Sequence, residues 1–535
     1  MKLTQQCLND SSLKDKGYVL PTYNVDEMKE ETVKAPTWLH LGAGNIFRAF
    51  LASNMQQLLN EKKVDKGILV AEGFDLEIVD CLKKYENLFV NVTLKENGTV
   101  DKEIVASVAD YLKMDGGSAD FERLKTVFRA PSLQMVSLTI TEKGYSLTDR
   151  NNEISEAVFS DFENGPEKPV SYIGKLVALV YERFKAGQLP LALVSMDNMA
   201  HNGEKLAESV LRFVTEWDQR KLVSPEFITY MNSDKVTFPW TMIDKITPRP
   251  DTSVEKMLVE DGLEDMQPMQ TTNHSYVAPY VNGEETQYLI IEDSFPNGHP
   301  PLEETGILFT DRKTVNQVET MKVTTCLNPL HTALAIFGCL FGYSSIHEEM
   351  KDDDLVTLIK KLGYDEGLTV VTDPKIIEPK QFIDEVIEIR LPNPFMPDTP
   401  QRIATDTSQK LSVRFGETIK SYVNKNDLEV SDLEMIPLII AGWLRYLTGI
   451  DDKGNLFEIS PDPLLPELQK YFVDFSLGDK IDATRLESLL RKSDIFGVDL
   501  VSVGLSDKII ALFEQLSRKK GAVSQTLHQT VTGGK

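Results

Sequence analysis

The chain has 535 residues, of which 41% are hydrophobic and 26% are charged, and its formal net charge is −25 at pH 7. This composition is typical of a soluble globular protein with two or more domains. The acidic charge argues against nucleic acid or an anionic membrane surface as a partner. No apolar run reaches the roughly 20 residues that span a bilayer, so we also expect no membrane anchor.

The four cysteines are scattered and form no CxxC pair. This spacing predicts neither a disulfide framework nor a zinc site, and we expect no bound metal. The first residues lack the apolar core of a signal peptide. Free cysteines and the absence of a secretion signal together predict a cytoplasmic protein.

Residues 1–35 are polar and are predicted to form an arm that lies on the fold. From residue 36 to about 245, β-rich runs alternate with helical runs. This alternation predicts an α/β domain of the extended Rossmann type, with a parallel sheet covered by helices. The predicted strands cover residues 38–41, 67–71, 134–141 and 189–195, and the predicted helices include 171–186 and 203–220.

The first predicted strand leads into a Gly-x-Gly turn and then a helix. Such a turn cradles the pyrophosphate of a dinucleotide, because glycine lets the backbone approach the phosphates at a helix N-terminus. Phe47 occupies the position of the third glycine of the usual fingerprint, so a tight turn with no ligand is the alternative. The segment predicted to bind the cofactor contains Gly42, Gly44, Asn45, Phe47 and Arg48.

Polar residues also follow the other predicted strands, at the sheet edge where ligands bind. Glu72 and Asp75 follow the second strand, Thr141 ends the third, and a polar run from Asp197 to Asn202 follows the fourth. A carboxylate at Glu72 would accept hydrogen bonds from the adenosine ribose and repel a 2′-phosphate. We therefore predict NAD rather than NADP as the cofactor. The alternative is a solvated carboxylate in a turn.

The second half of the chain has a different pattern. Residues 246–300 are rich in loops, with one predicted strand at 287–291, and the chain beyond about 300 is predicted to be mainly helical. We therefore place a Rossmann-type domain with its N-terminal arm at 1–300 and a helical catalytic domain at 301–535. The tail from Val523 is polar and is expected to fray.

Lys322, Asn328 and His331 place an amine, an amide and an imidazole within ten residues, just before an apolar segment. A lysine among apolar residues can act as a base, because burial disfavours its charged form. An Asn and a His three residues apart can polarise one oxygen from the same face of a helix. The alternative is a surface lysine, a capping asparagine and a packed histidine.

The order and spacing of these segments resemble the polyol-specific long-chain dehydrogenase/reductase family, over residues 36 to about 450. The matching motifs occupy residues 41–49, 137–145, 195–203, 238–248, 291–295, 319–322, 327–331 and 401–410. The resemblance implies metal-free hydride transfer between NAD(H) and a secondary alcohol or ketone. By matching motif it implies that Lys322 is the general acid/base and that Asn198 and Asn328 form an oxyanion hole. It also implies that the substrate is bound by His331, Arg402 and Lys410. Glu292 would lie on the path of the proton out of the site, and Asp244 would support the site residues.

Within the family we favour a sugar-acid reaction, the interconversion of a hexuronate ketone and its aldonate alcohol (fructuronate and mannonate). Oxidation of mannitol and reduction of tagaturonate are the alternatives of the same class. A catalytically silent homologue that binds a dinucleotide is the alternative of another class.

One departure from the family bears on Lys322. Five residues separate it from Asn328, whereas the family has four. On a continuous α-helix the extra residue would turn Lys322 to the side opposite His331, since each residue adds about 100°. Pro329 favours a new helix start after an asparagine cap. We therefore predict a break or bulge between Lys322 and Asn328, followed by a helix from about Pro329 to 342.

Overall fold

A computed structural model describes residues 1–473 and 475–533 of the chain. The chain divides into two compact units. The first comprises Met1–Lys95 and Thr99–Asn316, and the second comprises Glu96–Gly98 and the chain from Gln317 onward.

The strands lie in the first unit and form four sheets. In chain order they are β1 (Tyr18–Val19), β2 (Trp38–Leu41), β3 (Ile68–Glu72), β4 (Phe89–Leu94), β5 (Val100–Val105), β6 (Val108–Lys113), β7 (Met135–Leu138), β8 (Leu191–Ser195), β9 (Val236–Thr237), β10 (Thr241–Asp244), β11 (Met269–Gln270), β12 (Tyr276–Val277), β13 (Tyr280–Glu284), β14 (Tyr288–Glu292) and β15 (Leu308–Thr310).

The main sheet has six strands in the order β6-β3-β2-β7-β8-β9, and every neighbouring pair is parallel. All residues of β2, β3, β7 and β8 are buried. Strands buried on both faces read as continuous apolar runs, because helices cover both sides of a parallel sheet. The predicted Rossmann-type fold is confirmed, and the four predicted strands are its centre.

Three smaller sheets were not predicted. One joins β1, β5, β4 and β13, another joins β10, β14 and β15, and β11 pairs with β12. The N-terminal segment contributes β1, which pairs with β5, and a helix whose residues Val25 and Met28 are buried. The segment before residue 36 is therefore built into the fold of the first unit by sheet pairing and apolar packing.

The helices of the chain, in order, are α1 (Ser11–Asp15), α2 (Val25–Lys34), α3 (Ser53–Asn60), α4 (Glu77–Lys83), α5 (Ala119–Arg129), α6 (Thr141–Tyr145), α7 (Glu156–Asn164), α8 (Tyr172–Lys185), α9 (Asn202–Gln219), α10 (Glu226–Met231), α11 (Thr252–Glu260), α12 (Arg312–Met321), α13 (Asn328–Phe341), α14 (Ile346–Glu349), α15 (Asp353–Lys360), α16 (Pro379–Glu385), α17 (Pro400–Ile403), α18 (Glu417–Asn424), α19 (Met435–Tyr446), α20 (Leu465–Leu468), α21 (Ala483–Leu490), α22 (Ser493–Phe496), α23 (Ser506–Ser517) and α24 (Ala522–Thr532). Wider π-helical turns occupy Phe47–Ala52, Lys322–Cys326, Lys361–Gly367, Val386–Arg390 and Ser412–Gly416.

The second unit is helical and is organised around α13 and α19, which pack against each other. Both helices are apolar on nearly all sides. Glu366 caps α19 from a distant π-helical turn, since its carboxylate accepts the backbone N–H groups of Met435 (2.6 Å) and Ile436 (3.0 Å). Burial raises the pKa of Glu366 to about 7, although these hydrogen bonds oppose the shift.

The helical stretch Arg312–Phe341 is long and apolar enough to cross a bilayer, but 72% of its most apolar window is buried inside the protein. Burial of this kind is found in the core helices of folded domains.

The expectation that the tail frays was wrong for the residues that the structure describes. Helix α24 covers most of the tail and packs on α15, α19 and α23. Its buried residues Val523, Leu527 and Val531 recur at helical spacing and give it an apolar face. The last two residues lie outside the described part of the chain.

Candidate functional site

The Gly-x-Gly turn follows β2 and lines a cavity of about 650 Å³. Gly42 has a φ of +108°, and a Cβ atom there would lie 2.3 Å from the carbonyl oxygen of Thr139. A Cβ atom at Gly44, by contrast, would meet no atom within 4 Å. Gly42 is therefore required by the fold itself, whereas Gly44 leaves the backbone open to a ligand in the cavity.

Glu72 lies at the end of β3, in the wall of the same cavity. Its carboxylate accepts the backbone N–H groups of Ala43 (2.9 Å), Phe74 (2.9 Å) and Asp75 (3.2 Å). It thus ties the glycine turn to the turn that follows β3. A carboxylate has about four acceptor positions, so one remains for a ligand hydroxyl.

The structure places Phe47 and Arg48 inside the first unit. Phe47 is fully buried and stacks on His40, with ring centroids 4.2 Å apart. The buried Arg48 guanidinium donates to the carbonyl oxygen of Ala278 (2.7 Å) and to Oδ1 of Asn45 (2.8 Å). Through these contacts Asn45, Phe47 and Arg48 support the helix after the glycine turn from within the protein.

A second cavity, of about 300 Å³, is lined by Thr141, Asp197, Asn198 and Lys245. Asn198 is exposed and lies just after β8, and Thr141 lines both cavities. The first unit therefore brings together two of the predicted residues that came from different strand ends.

Asp244 and Glu292 lie on neighbouring antiparallel strands, β10 and β14. Asp244 is buried. The Glu292 carboxylate accepts the backbone N–H of Trp240 (3.0 Å) and Nε of Arg312 (2.9 Å). The Arg312 guanidinium also lies over the Trp240 ring, 5.2 Å from its centroid. Glu292 is thereby held in a fixed orientation.

Lys322 begins a π-helical turn, which confirms the bulge predicted from the extra residue. The backbone N–H of Leu327 donates to the carbonyl oxygen of Lys322, five residues earlier (3.1 Å). Leu327 itself is not helical, with a φ of −131° and a ψ of −61°. Helix α13 then starts at Asn328, with Pro329 in its first turn, and ends at Phe341. A π-turn accommodates one added residue without the rotation that a further α-helical residue would cause.

His331 lies in the first turn of α13, with Nε2 at 3.5 Å from Oδ2 of Asp398. The contact lacks hydrogen-bond geometry, and Nε2 is buried without a hydrogen-bond partner in the described chain. The pKa of His331 is lowered to about 4, chiefly by burial; Asp398 opposes the shift, and the nearby guanidinium of Arg414 contributes to it. The imidazole is therefore neutral near pH 7 and can both donate and accept a hydrogen bond.

Arg402 and Lys410 lie in the same part of the second unit. Arg402 forms an ion pair with Asp398, four residues before it, and its side chain is 63% exposed. The ammonium group of Lys410 donates to the carbonyl oxygen of Thr405. Burial lowers the pKa of Lys410, and the charge of Arg414 adds to that effect.

Arg414 was not predicted from the sequence. It donates to Oγ1 of Thr332, and burial lowers its pKa to about 10. Within the described residues no carboxylate forms an ion pair with Arg414. The available signal was its position four residues after Lys410, because residues at that spacing share a helix face.

Two further residues were missed. Phe74 is 74% exposed and lines the larger cavity beside Glu72. Asp398, between His331 and Arg402, could have been found by its four-residue spacing from Arg402. Among the residues that the structure describes, no group of three or more His, Cys, Asp or Glu side chains is placed to hold a metal ion.

Comparisons with known proteins find one family model for the N-terminal part of the chain and another for the C-terminal part. The family model described as the mannitol dehydrogenase Rossmann domain matches residues 36–304, and the mannitol dehydrogenase C-terminal domain matches residues 314–517. The chain is 50% identical to a D-mannonate oxidoreductase of Thermotoga maritima, over 99% of both chains.

Two solved structures are also similar. The substrate-free crystal structure of a D-sorbitol dehydrogenase has a TM-score of 0.80 and 26% identity, covering 98% of this chain and all of that one. The Pseudomonas fluorescens mannitol 2-dehydrogenase, in a ternary complex with NAD and D-mannitol, has a TM-score of 0.68 and 26% identity, covering 99% of this chain and all of that one.

Proposed function

Because the chain belongs to the mannitol dehydrogenase family, we propose that it interconverts a hexuronate ketone and its aldonate alcohol, such as fructuronate and mannonate, with NAD(H) as cofactor. The relative at 50% identity is named a D-mannonate oxidoreductase, and the mannitol 2-dehydrogenase structure contains NAD.

The observation that carries the substrate class is the cationic cluster of the second unit, defined here as Arg402, Lys410 and Arg414. Asp398 pairs with Arg402, and Asp406 and Asp462 lie near Lys410, whereas Arg414 has no acidic partner among the described residues. Buried charge without a counterion is unfavourable, so this cluster favours a ligand that brings its own negative charge. A hexuronate carboxylate supplies that charge, and a guanidinium can bind it with two parallel hydrogen bonds.

The proposed cofactor site is the larger cavity of the first unit. Gly44 leaves backbone open to a pyrophosphate, and Glu72 is placed to accept a hydrogen bond from a ribose hydroxyl. When bound, NAD supplies the acceptor for the hydride of the alcohol. A carboxylate at Glu72 disfavours the extra phosphate of NADP.

The protein's part in the chemistry is to move one proton and hold one oxygen. In the oxidation direction, buried Lys322 accepts the proton of the reacting hydroxyl. The amides of Asn198 and Asn328 donate hydrogen bonds to the oxygen as negative charge develops on it. His331, neutral at pH 7, binds a neighbouring substrate hydroxyl, Asp244 supports the site, and Glu292 passes the released proton towards solvent. We place the limit between the two domains near residue 300, so that Asn198, Asp244 and Glu292 belong to the domain of the cofactor residues and Lys322, Asn328 and His331 belong to the helical domain.

The test is NADH oxidation by the purified protein with fructuronate, tagaturonate and fructose. We expect the highest kcat/KM for fructuronate, and a lower value for tagaturonate because one hydroxyl is inverted. An equal or higher kcat/KM for fructose would refute the sugar-acid assignment and favour the polyol reaction. Tight NADH binding without turnover of any of the three would favour the catalytically silent homologue.

A further inference from the structure

Asp197, just after β8, holds the chain segment that follows the neighbouring strand β7. One carboxylate oxygen accepts the backbone N–H of Thr141 (2.9 Å), and the other accepts the N–H of Ile140 (2.9 Å) and the hydroxyl of Tyr145 (2.6 Å). Thr141 has a φ of +63°, which costs free energy for a residue with a Cβ atom. The bonds from Asp197 oppose that cost and keep the segment in one conformation.

The segment held by Asp197 lies against the glycine turn. The backbone N–H of Thr139 donates to the carbonyl oxygen of Leu41 (3.0 Å), and the carbonyl oxygen of Thr139 occupies the space that a Cβ atom at Gly42 would need. Residues 139–141 also form part of the wall of the larger cavity. A shift of this segment would therefore change the shape of the proposed pyrophosphate site.

The main chain of Asp197 is fixed from the other side. Its carbonyl oxygen accepts Nδ2 of Asn202 (3.0 Å), and the fully buried Asn202 side chain also donates to Oγ1 of Thr241 (2.8 Å). Asn202 Oδ1 accepts the backbone N–H of Thr241 (3.0 Å). The turn that carries Asn198 is thus anchored by its main chain to α9 and β10, and by the Asp197 side chain to the segment after β7.

We infer that Asp197 is a positioning residue that sets the cofactor-binding segment 139–141 and the amide of Asn198 relative to each other. It acts through these neighbours and needs no contact with the reacting atoms. The inference rests on the proposed function only for the role of Asn198, because its effect on the cofactor cavity is independent of the substrate.

The test compares Asp197→Asn and Tyr145→Phe with a matched control. Asp197→Asn turns an NH₂ group towards a backbone N–H that needs an acceptor, and Tyr145→Phe removes one donor to Asp197 but leaves both backbone bonds. The control is Asp452→Asn in the second unit, where the carboxylate accepts the backbone N–H of Val523 (2.8 Å) at the start of α24. All three change a carboxylate network that holds main chain.

For Asp197→Asn we expect the Kd for NADH to rise about tenfold and kcat to fall by a similar factor, as loss of charged hydrogen bonds implies. Tyr145→Phe should act in the same direction by about threefold. The double variant should not exceed Asp197→Asn, because both changes act on one network. Asp452→Asn should lower the melting temperature at most and leave the Kd for NADH unchanged.

A folded Asp197→Asn protein whose NADH Kd and kcat stay within about twofold of the parent would overturn the inference. If that variant does not fold, Tyr145→Phe decides, and an unchanged Kd for NADH would overturn it. A purely structural role would lower the folded fraction without changing the Kd of the protein that remains folded. The NADH titration contains no sugar acid and is therefore independent of the substrate. If Asp197→Asn loses NADH affinity but the parent protein turns over no hexuronate, only the proposed function is refuted.

Discussion

The two glycines of the turn after β2 should respond in opposite ways to the same substitution. At Gly42, alanine would adopt a φ of +108° and place its Cβ atom 2.3 Å from the carbonyl oxygen of Thr139. The backbone conformation costs about 1–3 kcal/mol, and the steric overlap adds a similar amount. We therefore expect Gly42→Ala to lower the free energy of unfolding by about 2–6 kcal/mol.

Gly44→Ala should leave stability almost unchanged. Its φ lies outside the range that favours glycine, and the added Cβ atom meets no protein atom within 4 Å. The expected change in the free energy of unfolding is within about 0.5 kcal/mol. The methyl group occupies space through which a pyrophosphate would approach the backbone, so the Kd for NADH should rise about tenfold, or by about 1.4 kcal/mol.

The assays are urea unfolding of both variants and fluorescence titration of Gly44→Ala with NADH. Gly42→Ala is the matched control for the stability measurement, because it adds the same atom two residues away. An unchanged Kd for NADH in Gly44→Ala, or a Gly42→Ala protein as stable as the parent, would refute this assignment of the two glycines.

Three further predictions concern charge. Arg402→Ala should raise KM about 10- to 100-fold for fructuronate but little for fructose, because the substrate carboxylate loses its charged hydrogen bonds. Equal losses for both substrates would contradict this. The control Arg212→Ala, which removes another ion pair between residues four apart, should change neither KM. The protein should have a kcat/KM for NADPH at least about tenfold below that for NADH, because Glu72 repels the 2′-phosphate; equal values would refute the assignment. Burial and the charge of Asp352 raise the pKa of Glu349, whose two carboxylate oxygens have no hydrogen-bond partner in the described chain. The stability contribution of Glu349 is therefore greatest below its ordinary pKa and falls as pH rises, so Glu349→Gln should melt higher than the parent at pH 8 but not near pH 4; a pH-independent difference would contradict this.

The central sheet could be predicted because its strands are short apolar runs that end in turn residues. The smaller sheets could not, since they depend on distant pairing: β13 lies beside β4, where Tyr280 is opposite Val90. Neither segment indicates its partner locally. The arm at residues 1–35 was predicted, but the pairing of β1 with β5 was not, because β1 is only two residues long and its partner is distant in sequence.

The site shows a similar division. The extra residue after Lys322 and the Asn328-Pro329 step predicted a bulge, and a π-turn is present there. Arg48, however, follows a glycine turn and resembles a phosphate ligand in sequence. Its guanidinium is buried on the carbonyl oxygen of Ala278, 230 residues away. A buried cation that satisfies distant main chain has no local sequence pattern.

The most direct measurement of the central claim is the rate of NADH oxidation with fructuronate by the parent protein and by Lys322→Ala, with NADH binding measured on the same samples. If Lys322 is the general acid/base, we expect its removal to lower kcat at least about a hundredfold while NADH binds as before. Lys322→Ala protein that turns over fructuronate at near the parent rate would contradict it.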